Sequence, residues 1–187
     1  MGQAPRRIYI VVLSGSVAAG KTTLARGLNS SSDVILINTR EVILSRLPST
    51  PRSRAALQAA GEQLDELTRG RWVADETLEL IKRTASATPI VIDAVKIPAQ
   101  IESVRTATSL PVFHVHLTSP FEVLRARYAA KPDDIHEMDN YADVAGNSTE
   151  SQIGLLSDNA DLVIDTSATT PDDAVRMVLT FVDRAMS

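Results

Sequence analysis

The chain has 187 residues and a formal net charge of -4, with 44% hydrophobic and 22% charged residues, which is typical of one globular domain rather than of a disordered chain. The negative charge argues against a general nucleic-acid or anionic-membrane surface, so we expect neither kind of partner. The absence of cysteine excludes disulfides, zinc–thiolate sites, iron–sulfur clusters and thiol nucleophiles, and it fits a reducing, cytoplasmic compartment.

Five short apolar runs alternate with helical patterns along the chain. They are Arg7–Leu13, Val34–Ile37, Pro89–Val95, Val112–Leu117 and Leu162–Ile164. Such near-continuous apolar runs are typical of strands covered by helices on both faces. The alternation therefore predicts an α/β fold with an open parallel sheet of about five strands and helices on both faces. The longest apolar run, 8–13, is far too short to cross a bilayer, and we expect no membrane segment.

A phosphate-binding pattern follows the first run. Residues 15–22 match G-x-x-x-x-G-K-[ST] at every fixed position, and a helical segment comes next. The glycines allow the backbone to turn and to approach phosphate, and the successive N–H groups and the helix N-terminus then face the anion. The residues predicted to hold the phosphates of a nucleoside triphosphate are Gly15, Ser16, Val17, Ala18, Ala19, Gly20, Lys21, Thr22 and Thr23.

Three side chains in and near this loop suit phosphoryl transfer. Lys21 places a cation on the transferring group, and the Thr22 hydroxyl can ligate Mg²⁺. Asp93 stands at the carboxyl end of the third predicted strand, where open α/β sheets bind ligands. It is predicted to hold Mg²⁺ or to orient the acceptor oxygen, with capping of the next helix as the alternative. The chain lacks the D-x-x-G and N-K-x-D signatures of GTPases, so a small phosphotransferase fits best.

Residues 51–87 interrupt the alternation of strands and helices. They are predicted to form two consecutive helices, Ser53–Thr68 and Arg71–Ala87, inserted between the second and third strands. We treat 1–187 as one domain and segment 39–87 as an insertion within it.

Further cations lie at positions that suit a phosphate-handling enzyme. Lysine occurs only four times, and Lys96 follows Asp93 by three residues. Arg127 and Lys131 are four residues apart, so they share one face of a predicted helix at the start of a polar segment, 127–150, that we interpret as a lid. Converging cations stabilise the charge that spreads over the oxygens in the transition state. The alternative for Arg127 and Lys131 is a solvated helix face.

Two histidines share one face of the fourth predicted strand, since His114 and His116 are two residues apart. The spacing supplies no third ligand for a metal. Packing or hydrogen bonding is therefore the favoured role of this pair.

The motifs together resemble those of the nucleoside monophosphate kinases among the P-loop kinases. The phosphate loop, the segment 38–41, the segment 93–100 and the pattern from Pro120 to Lys131 are similar to adenylate kinases. The inserted segments 54–61 and 71–73 are similar to viral-type deoxynucleoside monophosphate kinases. This resemblance covers residues 8–131 discontinuously and implies that the insertion binds the acceptor.

The resemblance also implies which residues meet the acceptor. Its phosphate would be held by Arg40, Arg54, Arg71 and Lys96. Gln58 or Gln100 would read a base edge, and Trp72 would either stack on the base or fill the core. The partners expected are therefore small-molecule nucleotides, with monomer and homodimer both open.

Sequence alone predicts transfer of the ATP γ-phosphoryl group to a nucleoside or deoxynucleoside monophosphate. Two alternatives stay open. In the first, a small-molecule kinase acts on the hydroxyl of a sugar, nucleoside or antibiotic, with Asp93 as general base. In the second, the chain is a nucleotide-binding regulatory protein that hydrolyses ATP slowly.

Overall fold

A parallel five-stranded sheet forms the centre of the molecule, as the apolar runs predict. The computed structural model describes residues 7–84, 88–130 and 153–187. The strands are β1 (Ile10–Gly15), β2 (Ile35–Asn38), β3 (Ile90–Asp93), β4 (Val112–Thr118) and β5 (Leu162–Asp165). Their order across the sheet is β2-β3-β1-β4-β5, and all neighbours are parallel. The α/β fold class predicted from the sequence is confirmed.

Seven helices have both ends within the described residues. They are α1 (Lys21–Ser31), α2 (Thr39–Arg46), α3 (Arg54–Thr68), α4 (Trp72–Thr84), α5 (Pro98–Ala107), α6 (Phe121–Ala129) and α7 (Pro171–Ala185). Residues 153–156 are also helical, and a 3₁₀ turn, Ser157–Asn159, follows them. Within the same described residues, no helix is both long and apolar enough to cross a membrane.

The two faces of β1 belong to two different cores. Val11 and Leu13 pack with α1, α6 and α7 in one buried cluster, whereas Ile10 and Val12 pack with α2, α3, α4 and α5 in the other. Successive side chains of a strand point to opposite faces, so a strand with helices on both sides is apolar at every position. This arrangement explains why β1 reads as one continuous apolar run.

Side-chain caps fix the starts of three helices. The Asn38 side chain accepts hydrogen bonds at the start of α2, Ser53 at the start of α3 and Thr170 at the start of α7, and each satisfies a backbone N–H that the helix leaves unpaired. Helix α6 begins differently, because Pro120 occupies its cap position without a side-chain bond. Among the described residues, Ser119 Oγ is buried and has no hydrogen-bond partner.

The inserted segment contains the two helices that the sequence predicts, as α3 and α4, with α2 before them. A tight turn joins α3 to α4 through Arg69 and Gly70, which both have positive φ, 56° and 78°. A Cβ at residue 70 would lie 3.0 Å from the backbone nitrogen of Gln100. Glycine is thus needed both for the turn and for the close approach of α5, and this contact brings three helices together around one small cavity.

Two leucines in helices give a matched test of this core. Leu28 of α1 is 1% exposed and Leu67 of α3 is 72% exposed. Leu28→Ala should lower the free energy of unfolding by about 2–5 kcal/mol, because it leaves a cavity in the core. Leu67→Ala should change it by less than about 0.5 kcal/mol. Urea unfolding followed by far-UV circular dichroism checks both, and equal losses would contradict the described burial.

Candidate active site

The phosphate loop connects β1 to α1 and is shaped by residues with positive φ. Gly15, Ala18 and Gly20 have φ values of 135°, 65° and 96°. A Cβ on Gly15 would lie 2.3 Å from the carbonyl oxygen of Leu117, whereas one on Gly20 would meet nothing within 4 Å. Gly15 therefore allows β4 to pass directly beside the loop, and Gly20 supplies the left-handed turn that opens α1. The backbone has the form expected of an anion cradle at a helix N-terminus.

Lys21 folds back over this loop. Its Nζ donates hydrogen bonds to the carbonyl oxygens of Gly15 at 2.6 Å and Ser16 at 2.7 Å. The ammonium group is thus held above the loop, where a bound phosphate would meet it. This placement agrees with the role that the sequence pattern predicts.

Thr22 and Asp93 meet at the edge between α1 and β3. The Thr22 hydroxyl donates a hydrogen bond to Asp93 Oδ2 at 2.9 Å, although the two residues are 71 positions apart in sequence. A hydroxyl and a carboxylate are oxygen ligands of the kind that Mg²⁺ prefers, so this donor pair fits the metal that the sequence implies. The described residues contain no group of three or more His, Asp or Glu side chains that could hold a metal without the nucleotide.

The larger cavity, of about 360 Å³, lies beside the phosphate loop and α1. Its far wall is formed by Arg127 of α6, by Thr166 and Thr169 between β5 and α7, and by Pro171 at the start of α7. The Arg127 guanidinium donates to Thr166 Oγ1 at 2.8 Å and to its carbonyl oxygen at 2.6 Å. Arg127 therefore ties α6 to the β5–α7 loop.

A local turn holds that wall in shape. Asp165 accepts hydrogen bonds from the backbone N–H and the hydroxyl of Ser167, at 2.8 and 2.6 Å. These bonds lower the pKa of the Asp165 carboxyl below its ordinary value. Hydrogen bonds within the loop between β5 and α7 thus stabilise its conformation next to Thr166.

A buried polar cluster lies directly behind the phosphate loop. Ser14 Oγ is 2.7 Å from His114 Nε2 and 2.8 Å from His116 Nδ1, and all three residues are buried. Burial lowers the pKa of His116 to about 4, helped by the nearby His114 and Lys21. Burial also lowers the pKa of His114. Both rings are therefore neutral near pH 7, and the hydrogen-bonding role expected for the pair agrees with this geometry.

A second, smaller cavity of about 40 Å³ lies between the inserted helices and the end of β3. Thr39 connects it to the end of β3, because its Oγ1 donates to the carbonyl oxygen of Ala94 at 2.9 Å and accepts from the Ala94 N–H at 3.1 Å. Both residues line the cavity, and Ala94 follows Asp93. The cavity thus opens one residue away from the carboxylate that contacts the phosphate loop.

The smaller cavity gathers four of the residues that the resemblance assigns to the acceptor. These residues are Gln58, Trp72, Lys96 and Gln100. Trp72 is only 2% exposed, so its ring fills the core instead of offering a stacking face. Its Nε1 donates to Asp65 Oδ1 at 2.7 Å.

The three arginines expected at the acceptor phosphate do not line this cavity. Arg40 is exposed on α2. The Arg71 side chain is 67% exposed and forms an ion pair with Asp75 at 3.1 Å. Arg54 stands at the first position of α3, away from the cavity lining. Lys131 and most of the predicted lid, 131–150, lie outside the described residues.

Sequence reasoning missed Thr39, Asp65 and Ser14. Asp65 and Trp72 belong to different helices, so helical spacing does not pair them, and the only available signal is the Arg-Gly turn between the helices. Ser14 directly precedes the glycine of the phosphate loop and is easily assigned to the strand alone. Thr39 stands where a strand meets a helix, and its contact with residue 94 spans 55 positions.

Comparison with protein families gives a match over most of the chain. The family model described as chloramphenicol phosphotransferase-like protein matches residues 8–183, which include the phosphate loop and both cavities. No curated protein matches the chain.

Solved structures share the fold at low sequence identity. A tunicamycin resistance protein of Deinococcus radiodurans is 18% identical, with a TM-score of 0.63 and coverage of 94% of this chain and 96% of that one. A sugar kinase of Janibacter sp. is 20% identical, with a TM-score of 0.58 and coverage of 94% and 95%. The APS kinase of Mycobacterium tuberculosis, in complex with AMPPNP and APS, is 12% identical, with a TM-score of 0.56 and coverage of 96% and 99%. These similarities establish the P-loop kinase fold.

The buried histidines predict a loss of stability in acid. The pKa of His116 falls from 6.5 to about 4 on folding, so between these pH values the unfolded chain takes up a proton that the folded chain does not. The stability is fully present above pH 6.5 and is lost as the pH falls toward 4, by up to about 3 kcal/mol from this residue. Urea unfolding at pH 7, 6 and 5 measures the loss.

His116→Gln is the matched variant, because glutamine keeps a hydrogen-bonding group beside Ser14 and does not titrate. Its stability should depend less on pH over the same range. Identical pH dependence in the two proteins would show that His116 is not the titrating group.

Proposed function

The chain belongs to the chloramphenicol phosphotransferase-like protein family, and from this premise we propose that it transfers the terminal phosphoryl group of ATP to a hydroxyl group of a small molecule. The observation that carries the proposal is the position and charge of the smaller cavity. It adjoins Asp93 through Thr39 and Ala94, and its lining includes the carboxylates of Glu62 and Asp65 but no arginine.

Charge favours a hydroxyl acceptor over a monophosphate. Arginine forks suit phosphate recognition because they bind two oxygens at once. The three candidate arginines lie outside the cavity, and its lining has two carboxylates against one cation, Lys96, so its net charge disfavours a phosphate. A hydroxyl group carries no charge and can donate a hydrogen bond to either carboxylate.

The chain's own residues account for the chemical step. The loop amides and Lys21 bind the triphosphate, and Mg²⁺, held by Thr22 and Asp93, would offset its negative charge. Asp93 accepts the proton of the acceptor hydroxyl, whose oxygen forms a bond to the γ-phosphorus while the bond to the bridging oxygen breaks and ADP leaves. Arg127 holds the wall of the larger cavity through Thr166, and that cavity is the candidate site for the nucleoside part of ATP.

A nucleoside monophosphate is the second candidate acceptor. Lys96 lines the smaller cavity together with Gln58 and Gln100, and a cation beside two amides suits a phosphate and a base edge. A regulatory ATPase is the third candidate function, and it needs no acceptor. The three candidates give different results in one assay.

We predict that ADP release will depend on an unphosphorylated alcohol. The assay couples ADP release to a second enzyme and tests chloramphenicol, D-gluconate, shikimate, D-ribose and adenosine against AMP and dTMP. Turnover with at least one alcohol and none with the monophosphates is the expected result. Turnover with the monophosphates alone would establish the second candidate, and hydrolysis that ignores every acceptor would establish the third.

Lys21→Ala should lower kcat for the accepted alcohol on the order of 10²- to 10³-fold, because one charged donor to the transferring group is lost. Lys82→Ala removes the same charge from an exposed position on α4 and serves as the control. Steady-state kinetics with varied ATP distinguish the two variants. A Lys21→Ala protein as active as the control would remove the phosphate loop from the mechanism.

A further inference from the structure

Asp65 takes no part in the proposed phosphoryl-transfer step itself, although it lines the smaller cavity. It lies on α3, half-buried, behind the residues that connect the cavity to Asp93. Burial raises the pKa of Asp65, and hydrogen bonds from Trp72 and Gln100, together with the charge of Lys96, oppose that rise. Burying a carboxylate costs free energy unless hydrogen-bond donors or opposite charges surround it. The groups that contact Asp65 therefore indicate its role.

Two neutral donors fix the orientation of this carboxylate. Trp72 Nε1 donates to Asp65 Oδ1 at 2.7 Å, and Gln100 Nε2 donates to the same oxygen at 2.8 Å. Gln100 is itself oriented, because its Oε1 accepts the backbone N–H of Lys96 at 2.8 Å. The three residues come from α3, α4 and α5, which the Gly70 turn brings together.

The two oxygens of Asp65 are used unequally. Within the described residues, both hydrogen bonds to this side chain end on Oδ1, and none ends on Oδ2. An ionised carboxylate accepts about four hydrogen bonds and donates none. Oδ2 is therefore the acceptor that a hydrogen-bond donor entering the cavity would meet, and a cavity of about 40 Å³ has room for one small polar group.

We propose that Asp65 is a specificity-determining residue whose Oδ2 accepts a hydrogen bond from a second hydroxyl or an ammonium group of the acceptor. The proposal rests on the hydroxyl-kinase function proposed above. It implies that preferred acceptors are polyols or amino alcohols, with one hydroxyl that takes the phosphoryl group and a second donor that enters the cavity. Glu62 and Asp65 line the cavity together, so a phosphate or carboxylate in the same position is disfavoured.

The side chains around Asp65 allow a nearly isosteric test. In Asp65→Asn, the remaining Oδ1 still accepts from Trp72 and Gln100, while an NH₂ group replaces Oδ2 and opposes a donor from the acceptor. Glu66→Gln removes the same charge from an exposed position on the same helix and is the matched control. The KM for ATP should change in neither variant, since the phosphate loop is not involved.

Two pairs of compounds separate the two donor types. 1,3-Propanediol differs from 1-propanol by one hydroxyl, and 3-amino-1-propanol differs from 1-propanol by one amino group. With the better acceptor of the two donor-bearing compounds, Asp65→Asn should raise the acceptor KM about 10- to 100-fold, the loss expected for a hydrogen bond to a charged group. With 1-propanol, which lacks the second donor, the same substitution should have almost no effect, which a merely structural role would not produce.

Trp72 provides a second readout without turnover. It is the only tryptophan in the chain, and its indole N–H is bonded to Asp65, so a donor that binds Oδ2 should shift the tryptophan emission in the absence of ATP. Titration of the unsubstituted protein should give tighter binding for the diol than for 1-propanol, or for the amino alcohol than for 1-propanol. This measurement stands even where Asp65→Asn fails to fold.

The outcomes divide clearly. An unchanged acceptor KM in Asp65→Asn, an equal loss with both members of a pair, or no emission change with either donor-bearing compound at tens of millimolar would overturn the role of Asp65. Each of these results leaves the hydroxyl-kinase function intact if the alcohol panel shows turnover. Conversely, a panel in which only monophosphates are phosphorylated removes the proposed function and the role of Asp65 with it.

Discussion

The close approach of β4 to the phosphate loop at Gly15 is the constraint on which the site depends. A Cβ there would lie 2.3 Å from the Leu117 carbonyl oxygen, so only glycine lets the loop lie against the neighbouring strand. On the other side of β1, the hydrogen bond between Thr22 and Asp93 joins the loop to β3. Held between two strands, the backbone amides keep a fixed shape, and preorganised donors are the main means of stabilising a charged transition state.

The strands and the backbone shape of the phosphate loop could be predicted from the sequence because these features are local. The residues of the phosphate loop are consecutive, and the five strands are short apolar runs whose pattern follows from burial on both faces. Even Asp93 could be placed, since a residue that ends a strand of a parallel sheet lies at the same edge as the loop. Its partner, Thr22, is one residue from the loop lysine.

The lining of the smaller cavity could be predicted only in part. Gln58, Trp72, Lys96 and Gln100 share the smaller cavity, yet Arg40, Arg54 and Arg71 do not line it. The difference arises because an arginine on a helix has several solvated orientations that motif spacing cannot distinguish. Asp65 could not be predicted from motif spacing, because its contacts form only in the tertiary structure, where α3, α4 and α5 meet at Gly70.

The hydrogen bonds that Lys21 forms in this structure oppose the binding of a ligand to the loop. Its ammonium group already has two carbonyl partners, at 2.6 and 2.7 Å, and a ligand must compete with both of them. A polyphosphate brings several negative charges within reach and displaces these bonds readily, whereas a free nucleoside brings none. In the proposed function, this competition would favour charged nucleotides over their dephosphorylated relatives before any contact with the base is made.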